Sequence, residues 1–354
     1  MAVALAALFA GSLAYLRPVN VRLLLERPAP ARHDYEIDQL LAGVPGEAWL
    51  VVADRSGRQP GTAVLHTADG GRTWKPGGTP LVHAYTVLKE LDDRTLMAQA
   101  FEFDGSGQML LRSSNAGITW QRVKLPPGQL YPAAAYFLSR ELGWYLDPDD
   151  GRLWRTADGG ESWVLLPGIE GFDPPRYGML FASPQQGWVL SGGTLLATGD
   201  GGLSWASRPL PGFGTTDVTL RLTSVGLVAV AHQRSPAPFA GLCSDTIASA
   251  QLAVSPDGGL TWLEARSLPT TLLNADSNLA FVRGGDWEVA DQERIWKSSD
   301  LGRTWKPAGA PGPVVGLDFG DPYDGWASIC GGTAARTLLA TGDGGQHWSR
   351  VFPR

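Results

Sequence analysis

Short apolar runs alternate along this chain with a single polar turn sequence. Ala63-Val64-Leu65 leads into Thr67-Ala68-Asp69-Gly70-Gly71-Arg72-Thr73-Trp74, and the same order then returns. The later apolar leads are Met109-Leu110-Leu111, Arg152-Leu153-Trp154, Thr194-Leu195-Leu196, Gln251 to Val254, Arg294-Ile295-Trp296 and Thr337-Leu338-Leu339. Each is followed by an eight-residue stretch with Ser or Thr first, Asp or Asn third, Gly fifth and Trp eighth. The third positions are Asp69, Asn115, Asp158, Asp200, Asp257, Asp300 and Asp343, and the eighth are Trp74, Trp120, Trp163, Trp205, Trp262, Trp305 and Trp348. Steps of 46, 43, 42, 57, 43 and 43 residues separate the tryptophans. A fixed internal pattern at a period near forty is the signature of a repeat array.

Short apolar runs bounded by Gly, Asp and Ser predict strands joined by hairpins. Within the eight residues an Asp or Asn side chain accepts hydrogen bonds from backbone N–H groups further on, and a Ser or Thr hydroxyl supports the same turn. The glycines supply positive φ where the chain reverses. The tryptophan is a large apolar anchor suited to the space between neighbouring sheets. Four strands fit each repeat. In the third they are Ala133 to Leu138, Gly143 to Leu146, Gly151 to Arg155 and Ser162 to Leu166. Seven such units fall at 34–78, 79–126, 127–168, 169–211, 212–269, 270–311 and 312–354. One four-stranded sheet of this size cannot bury its own faces, whereas seven packed radially bury each other. The fold expected is all-β: a seven-bladed propeller of four-stranded antiparallel blades over 34–354. Blade seven closes against blade one, with an N-terminal strand around Val19 to Leu25 as a candidate helper.

The turn pattern resembles the Asp-box, or bacterial neuraminidase repeat, which joins the third and fourth strands of a propeller blade. Six copies match it in full and the second carries Asn115 in the Asp place. The resemblance implies a structural role for the seven Asp or Asn residues and the seven tryptophans. A calcium site would need several oxygen ligands from one loop, and each turn offers one carboxylate. The fourteen tryptophans of the chain are accounted for by repetition. Beyond the seven in the turns, Trp49, Trp144, Trp188, Trp287 and Trp326 mark second strands, and Trp154 and Trp296 take matching third-strand places. A carbohydrate platform is therefore not required, although carbohydrate binding stays open.

Repeats such as Gly143-Trp144 followed by Leu153-Trp154-Arg155-Thr156-Ala157-Asp158-Gly159-Gly160-Glu161-Ser162-Trp163 resemble the photosystem II stability/assembly factor-like family. That resemblance implies a single exported propeller acting as a non-catalytic scaffold on a membrane complex. Blades two and five lack the second-strand Trp, and the family's basic patch is not evident as a run. Sialidases and xyloglucan-type glycosidases also use such turns, so a glycoside hydrolase is the alternative. However, no Arg-Ile-Pro opening is present, and no pair of acids stands out at the separation glycoside hydrolysis needs.

Composition adds limits. Forty-five glycines and 26 prolines punctuate short strands, and a net charge of −6 gives no reason to expect nucleic acid as a partner. Five scattered histidines and two cysteines form no metal-ligand spacing, so no cofactor or metal is expected. Residues 1–16 are apolar and uncharged, shorter than the span of about 20 residues that crosses a bilayer. They read as a signal peptide or an N-terminal membrane anchor, followed by a Pro/Arg-containing linker over 17–33. Both readings place the propeller in the periplasm, a lumen or outside the cell.

Specificity is expected where the repeats differ, in the loops joining second and third strands. These carry the candidate partner-face residues Asp104, Asp147, Asp149, Asp150, Arg234 and Phe239, the last two in a long insertion read as running from about His232 to Ala250. Cys243 and Cys330 stand on corresponding loops of blades five and seven, and an oxidising compartment would allow a disulfide between them.

Overall fold

A computed structural model describes residues 35–352 apart from 55–60, 78–80, 83, 93, 103–107, 130–134, 174–177, 214–217, 235–246, 270–278, 283–285, 291–293, 310 and 332–334. The described residues form seven antiparallel sheets, each a simple meander of four strands in sequence order. Blade one consists of Tyr35–Ala42, Ala48–Asp54, Gly61–Thr67 and Lys75–Pro76, with the short strand Leu81–Val82 also pairing to Gly61–Thr67. Blade three consists of Ala135–Phe137, Gly143–Leu146, Leu153–Thr156 and Val164–Leu166. The remaining blades span 84–123, 179–208, 218–267, 279–309 and 314–352. The four meander strands of each blade lie within the limits the repeat period sets, while the added strand Leu81–Val82 of blade one falls in the stretch expected for blade two; no helix occurs among the described residues.

Alternation in the strands puts apolar side chains on both faces of each blade, and the seams between blades are the core. Between blades one and two Trp49, Val51 and Val64 pack on Leu88, Leu96 and Leu111. Between blades three and four Trp144 lies flat on Phe181, with ring centroids 3.6 Å apart. The ring closes as expected by blade seven on blade one, where Ile37, Leu50, Leu65 and Trp74 meet Trp326, Leu338, Val351 and Phe352. Blade seven supplies four strands of its own, ending at Ser349–Phe352. The candidate helper strand near Val19 lies outside the described residues.

First strands stand innermost and are stitched to each other. Gln39 of blade one donates to Leu88 O at 3.1 Å and accepts from Leu88 N at 2.7 Å. Lys89 of blade two donates to Phe137 O at 3.2 Å, with its ammonium 3.4 Å from the centroid of the Tyr136 ring. Burial lowers the pKa of Lys89 to about 7. Tyr136 of blade three donates in turn to Phe181 O of blade four at 3.0 Å.

Two expectations are refined by the register. Trp287 stands on the second strand of blade six, Trp287–Ala290, but one position away from the place of Trp144, Trp188 and Trp326. In those blades Gly143, Gly187 and Gly325 pair with Phe137, Phe181 and Phe319 of the first strand, and the tryptophan follows. In blade six Trp287 itself pairs with Phe281, and Glu288 pairs with Ala280 in the tryptophan's place. A shift of one residue sends a side chain to the other face of a strand. Trp287 therefore packs back on Val228, Val230 and Leu252 of blade five. The insertion of blade five is also shorter than its sequence suggests. Gly226–Arg234 and Ile247–Ser255 continue as paired strands, leaving 235–246 as the connection.

Candidate interaction face

A meander of four strands has two ends. The eight-residue turns and the loops between first and second strands share one end, and the loops between second and third strands share the other.

At the first end the seven turns have one geometry. In blade one the Thr67 hydroxyl donates to Asp69 Oδ1 at 2.9 Å and accepts from Gly71 N at 3.0 Å. Asp69 Oδ1 accepts from Thr73 N at 2.8 Å, and Asp69 Oδ2 from the Thr73 hydroxyl at 2.6 Å. The same bonds recur from Asp158 to Ser162, Asp200 to Ser204, Asp257 to Thr261 and Asp300 to Thr304. Asn115 keeps the bond from Thr119 N and donates its amide to the Thr119 hydroxyl at 2.9 Å. In blade seven His347 takes the place of the Ser or Thr, with Nδ1 2.6 Å from Asp343 Oδ2. These donors hold the carboxylates ionised. The Thr73 hydroxyl and backbone lower the pKa of Asp69 to about 2, and Thr261 does the same for Asp257. The carboxylates are thus spent on hydrogen bonds within their own turns.

Glycine at the fifth position meets two demands. Its φ is positive, from 78° at Gly302 to 98° at Gly202, and it lies against the preceding blade. A Cβ at Gly259 would stand 2.7 Å from Leu195, and one at Gly71 2.8 Å from Val351. The fourth position is also left-handed but open to other residues. Ala116 sits there at φ 57° and Leu301 at φ 62°.

That fourth residue carries a latch. Its carbonyl accepts a hydrogen bond from the preceding blade: Trp49 Nε1 to Ala116 O at 3.1 Å, Trp144 Nε1 to Gly201 O at 2.9 Å and Trp188 Nε1 to Gly258 O at 2.8 Å. Blades two and five lack the tryptophan, and an arginine replaces it. Arg112 donates to Gly159 O at 3.2 Å, and Arg266 donates to Leu301 O. Arg112 stands directly before the turn of a blade without a second-strand tryptophan, and that absence was its only sequence signal.

At the other end the blades differ. The acidic group of blade three turns out to brace its own hairpin. Buried Asp147 accepts from Asp149 N at 2.9 Å and from Arg152 Nη2 at 3.1 Å. Asp150 accepts from Arg152 N at 3.0 Å and from Arg152 Nε at 2.6 Å. Asp149 and Asp150 remain exposed. Arg234 ends a strand and pairs through its backbone with Ile247. Asp104, Phe239 and Cys243 lie outside the described residues. Cys330 ends the second strand of blade seven, and no described cysteine is free. No group of metal-ligating side chains occurs among the described residues.

Exposed apolar side chains gather at the turn end. Ile118, Leu203 and Leu260 occupy the sixth position of three turns, and Val44, Leu222 and Tyr323 stand on or beside the first-to-second loops. Sequence reasoning did not mark them, because a single exposed apolar residue in a turn is unremarkable.

No family model matches the chain. A 104-residue stretch is 27% identical to the photosystem II stability/assembly factor HCF136, chloroplastic, of Oryza sativa subsp. japonica. The match covers 28% of this chain and 24% of that protein, about a quarter of its length. Among solved structures, the one titled YCF48 bound to D1 peptide matches over 89% of this chain and 99% of its own, at 17% identity and a TM-score of 0.54. The GH74 enzyme of Niastella koreensis matches over 89% of this chain and 65% of its own, at 12% identity and a TM-score of 0.41. The chain is thus a seven-bladed propeller with weak sequence similarity to a photosystem II assembly factor.

Proposed function

We propose that this protein is a non-catalytic Asp-box propeller that binds a protein partner, a membrane complex or its assembly intermediate, through the end bearing the second-to-third loops. The observation that carries the reading is the contrast between the ends. Seven like turns and their latches fix the ring, while the opposite loops vary in length and chemistry. A rigid scaffold presents such loops with little ordering entropy to oppose binding. The weak similarity to a stability/assembly factor, and the likeness of fold to a propeller titled as bound to a peptide, support a protein as the ligand. Residues 1–16, read as signal peptide or anchor, and the linker over 17–33 would deliver the propeller to the periplasm or a lumen, beside a membrane. The same reading pairs Cys243 with Cys330, which peptide mapping without reductant would detect as one linked fragment.

Affinity capture from detergent-solubilised membranes, with mass spectrometry of the captured material, tests it. A stoichiometric membrane complex, lost when residues 235–241 are shortened, is the expected result. Recovery of the propeller alone, together with turnover of a xyloglucan or sialoside substrate, would overturn it in favour of a glycoside hydrolase.

A further inference from the structure

The fourth strands of the blades form the outer wall of the ring, and each pairs with the third strand on one side only. Such an edge directs part of its backbone N–H and C=O groups outward, a template for an added strand, and a charged side chain or a proline blunts it. Among the described residues, six of the seven fourth strands carry a lysine or arginine: Lys75–Pro76, Gln121–Val123 with Arg122, Ala206–Arg208, Arg266–Ser267, Lys306–Gly309 and Ser349–Phe352 with Arg350. Blade three departs from this rule. Its fourth strand is Val164–Leu166, with neither charge nor proline. Val164 is 64% exposed and Leu165 57%. Successive side chains of a strand point to opposite faces. Val164 lies opposite Arg155 and Leu165 opposite Trp154, so the edge is apolar on both faces. Leu166 packs against the cluster of Trp144, Leu153 and Phe181, which anchors the strand while its two neighbours stand in solvent.

We propose that the outer edge of blade three is a strand-addition site, which takes an extended apolar segment of another protein, flanked by acidic residues, as a fifth strand. The length of the edge and the charge beside it select this occupant. Three residues span about 10 Å, whereas a stable contact between two folded proteins buries about 1,200 Å² or more. A short extended segment fits such an edge, and a second ring does not. Arg122 on the fourth strand of blade two and Arg208 on that of blade four lie to either side. Antiparallel pairing of two identical edges has its two-fold axis perpendicular to the sheet. That axis turns blade two of one copy toward blade two of the other, and blade four toward blade four. Arg122 and Arg208 would then each approach their own copies, and like charges oppose that pairing. The same arginines favour acidic residues at the two sides of an apolar segment. Backbone pairing supplies the affinity in strand addition, and side-chain contacts, here with Val164 and Leu165, supply selectivity. The site is on the outer wall, apart from both ends of the ring, so it is tested separately from recognition by the second-to-third loops.

Fluorescence anisotropy with the full chain tests the proposal. The probe is a labelled, capped peptide of four valines flanked on each side by two glutamates. It should bind saturably to the wild-type chain, and amides of 164–166 should gain protection from hydrogen exchange in the complex. Leu165→Lys gives blade three the charge that the other edges carry. It should weaken binding at least ~10-fold, because an ammonium would be buried against an apolar segment. The thermal midpoint should not change, since Leu165 is exposed. The peptide N-methylated at its valines cannot donate to the edge and should not bind, a result that needs no variant. A version flanked by lysines should bind at least ~10-fold more weakly than the acidic one. No saturable binding up to ~1 mM peptide, binding that survives Leu165→Lys or N-methylation, or equal binding of the lysine-flanked peptide would overturn the proposal. A dimer in sedimentation velocity that Leu165→Lys dissolves would overturn it in favour of a second copy of this chain.

Discussion

The two ends of the ring place opposite demands on the same strands. At the turn end Thr67, Thr156, Ser255 and their counterparts repeat one set of bonds, and each turn receives a latch or a buried contact from the blade before. At the loop end Asp147, Asp150 and Arg152 brace the hairpin of blade three, whereas in blade four Ser191 pairs directly with Thr194 across Gly192 and Gly193. Uniformity at one end lets seven blades interlock, and freedom at the other leaves room for recognition. Substitutions at the turn end should therefore cost stability, and changes at the loop end should cost binding.

The largest expected effect is at a seam beneath the turns. Trp144→Ala removes a fully buried ring stacked on Phe181 and the donor to Gly201 O. A loss of about 3–5 kcal/mol in urea unfolding is expected, as for other buried aromatic truncations. A loss below ~1 kcal/mol would show that the seam, as drawn, does not hold the ring. Next is Thr156→Ala, which strips Gly160 N and Asp158 of their shared hydroxyl in a buried turn. It should cost ~1–2 kcal/mol by the same measurement. Shortening 235–241 at the loop end, with Cys243 kept, should leave stability within ~1 kcal/mol, since loop entropy grows slowly with length. Partner capture should fall nonetheless, and an equal loss of stability would erase the contrast between the ends. Smallest is Ala116→Gly. Ala116 holds φ 57°, a left-handed conformation that an L side chain resists, so glycine should stabilise by up to about 1 kcal/mol. A higher Tm would confirm that the fourth position is selected for its carbonyl and not for its side chain.

Legibility followed the range of the interactions. The turns could be read because Thr67, Asp69, Gly71 and Thr73 satisfy each other within seven residues. The strand order followed from seven like repeats in sequence. The latches could not be read, since Trp144 and Gly201 lie 57 residues apart and meet only when two blades pack. Arg112 and Arg266 are ordinary surface-type residues until the missing tryptophans of blades two and five give them a carbonyl to serve. Trp287 misled because its spacing from the turn resembles that of Trp144, while pairing with Phe281 sets its face. Glu288 was overlooked for the same reason: a charged residue beside a tryptophan reads as an exposed neighbour until register turns it inward. The exposed apolar residues Leu203 and Leu260 carry no periodic signal beyond the turn itself.

The loop end is the one that should meet the partner, and site-specific photo-cross-linking reads this directly. A photoreactive residue at Asp149 marks the loop end, and one at Leu203 marks the turn end, both at exposed positions. In native membranes the Asp149 probe should capture a partner in stoichiometric yield, and the Leu203 probe should capture none. Capture by Leu203 with none by Asp149 would place recognition on the apolar turn rim and not on the loop end.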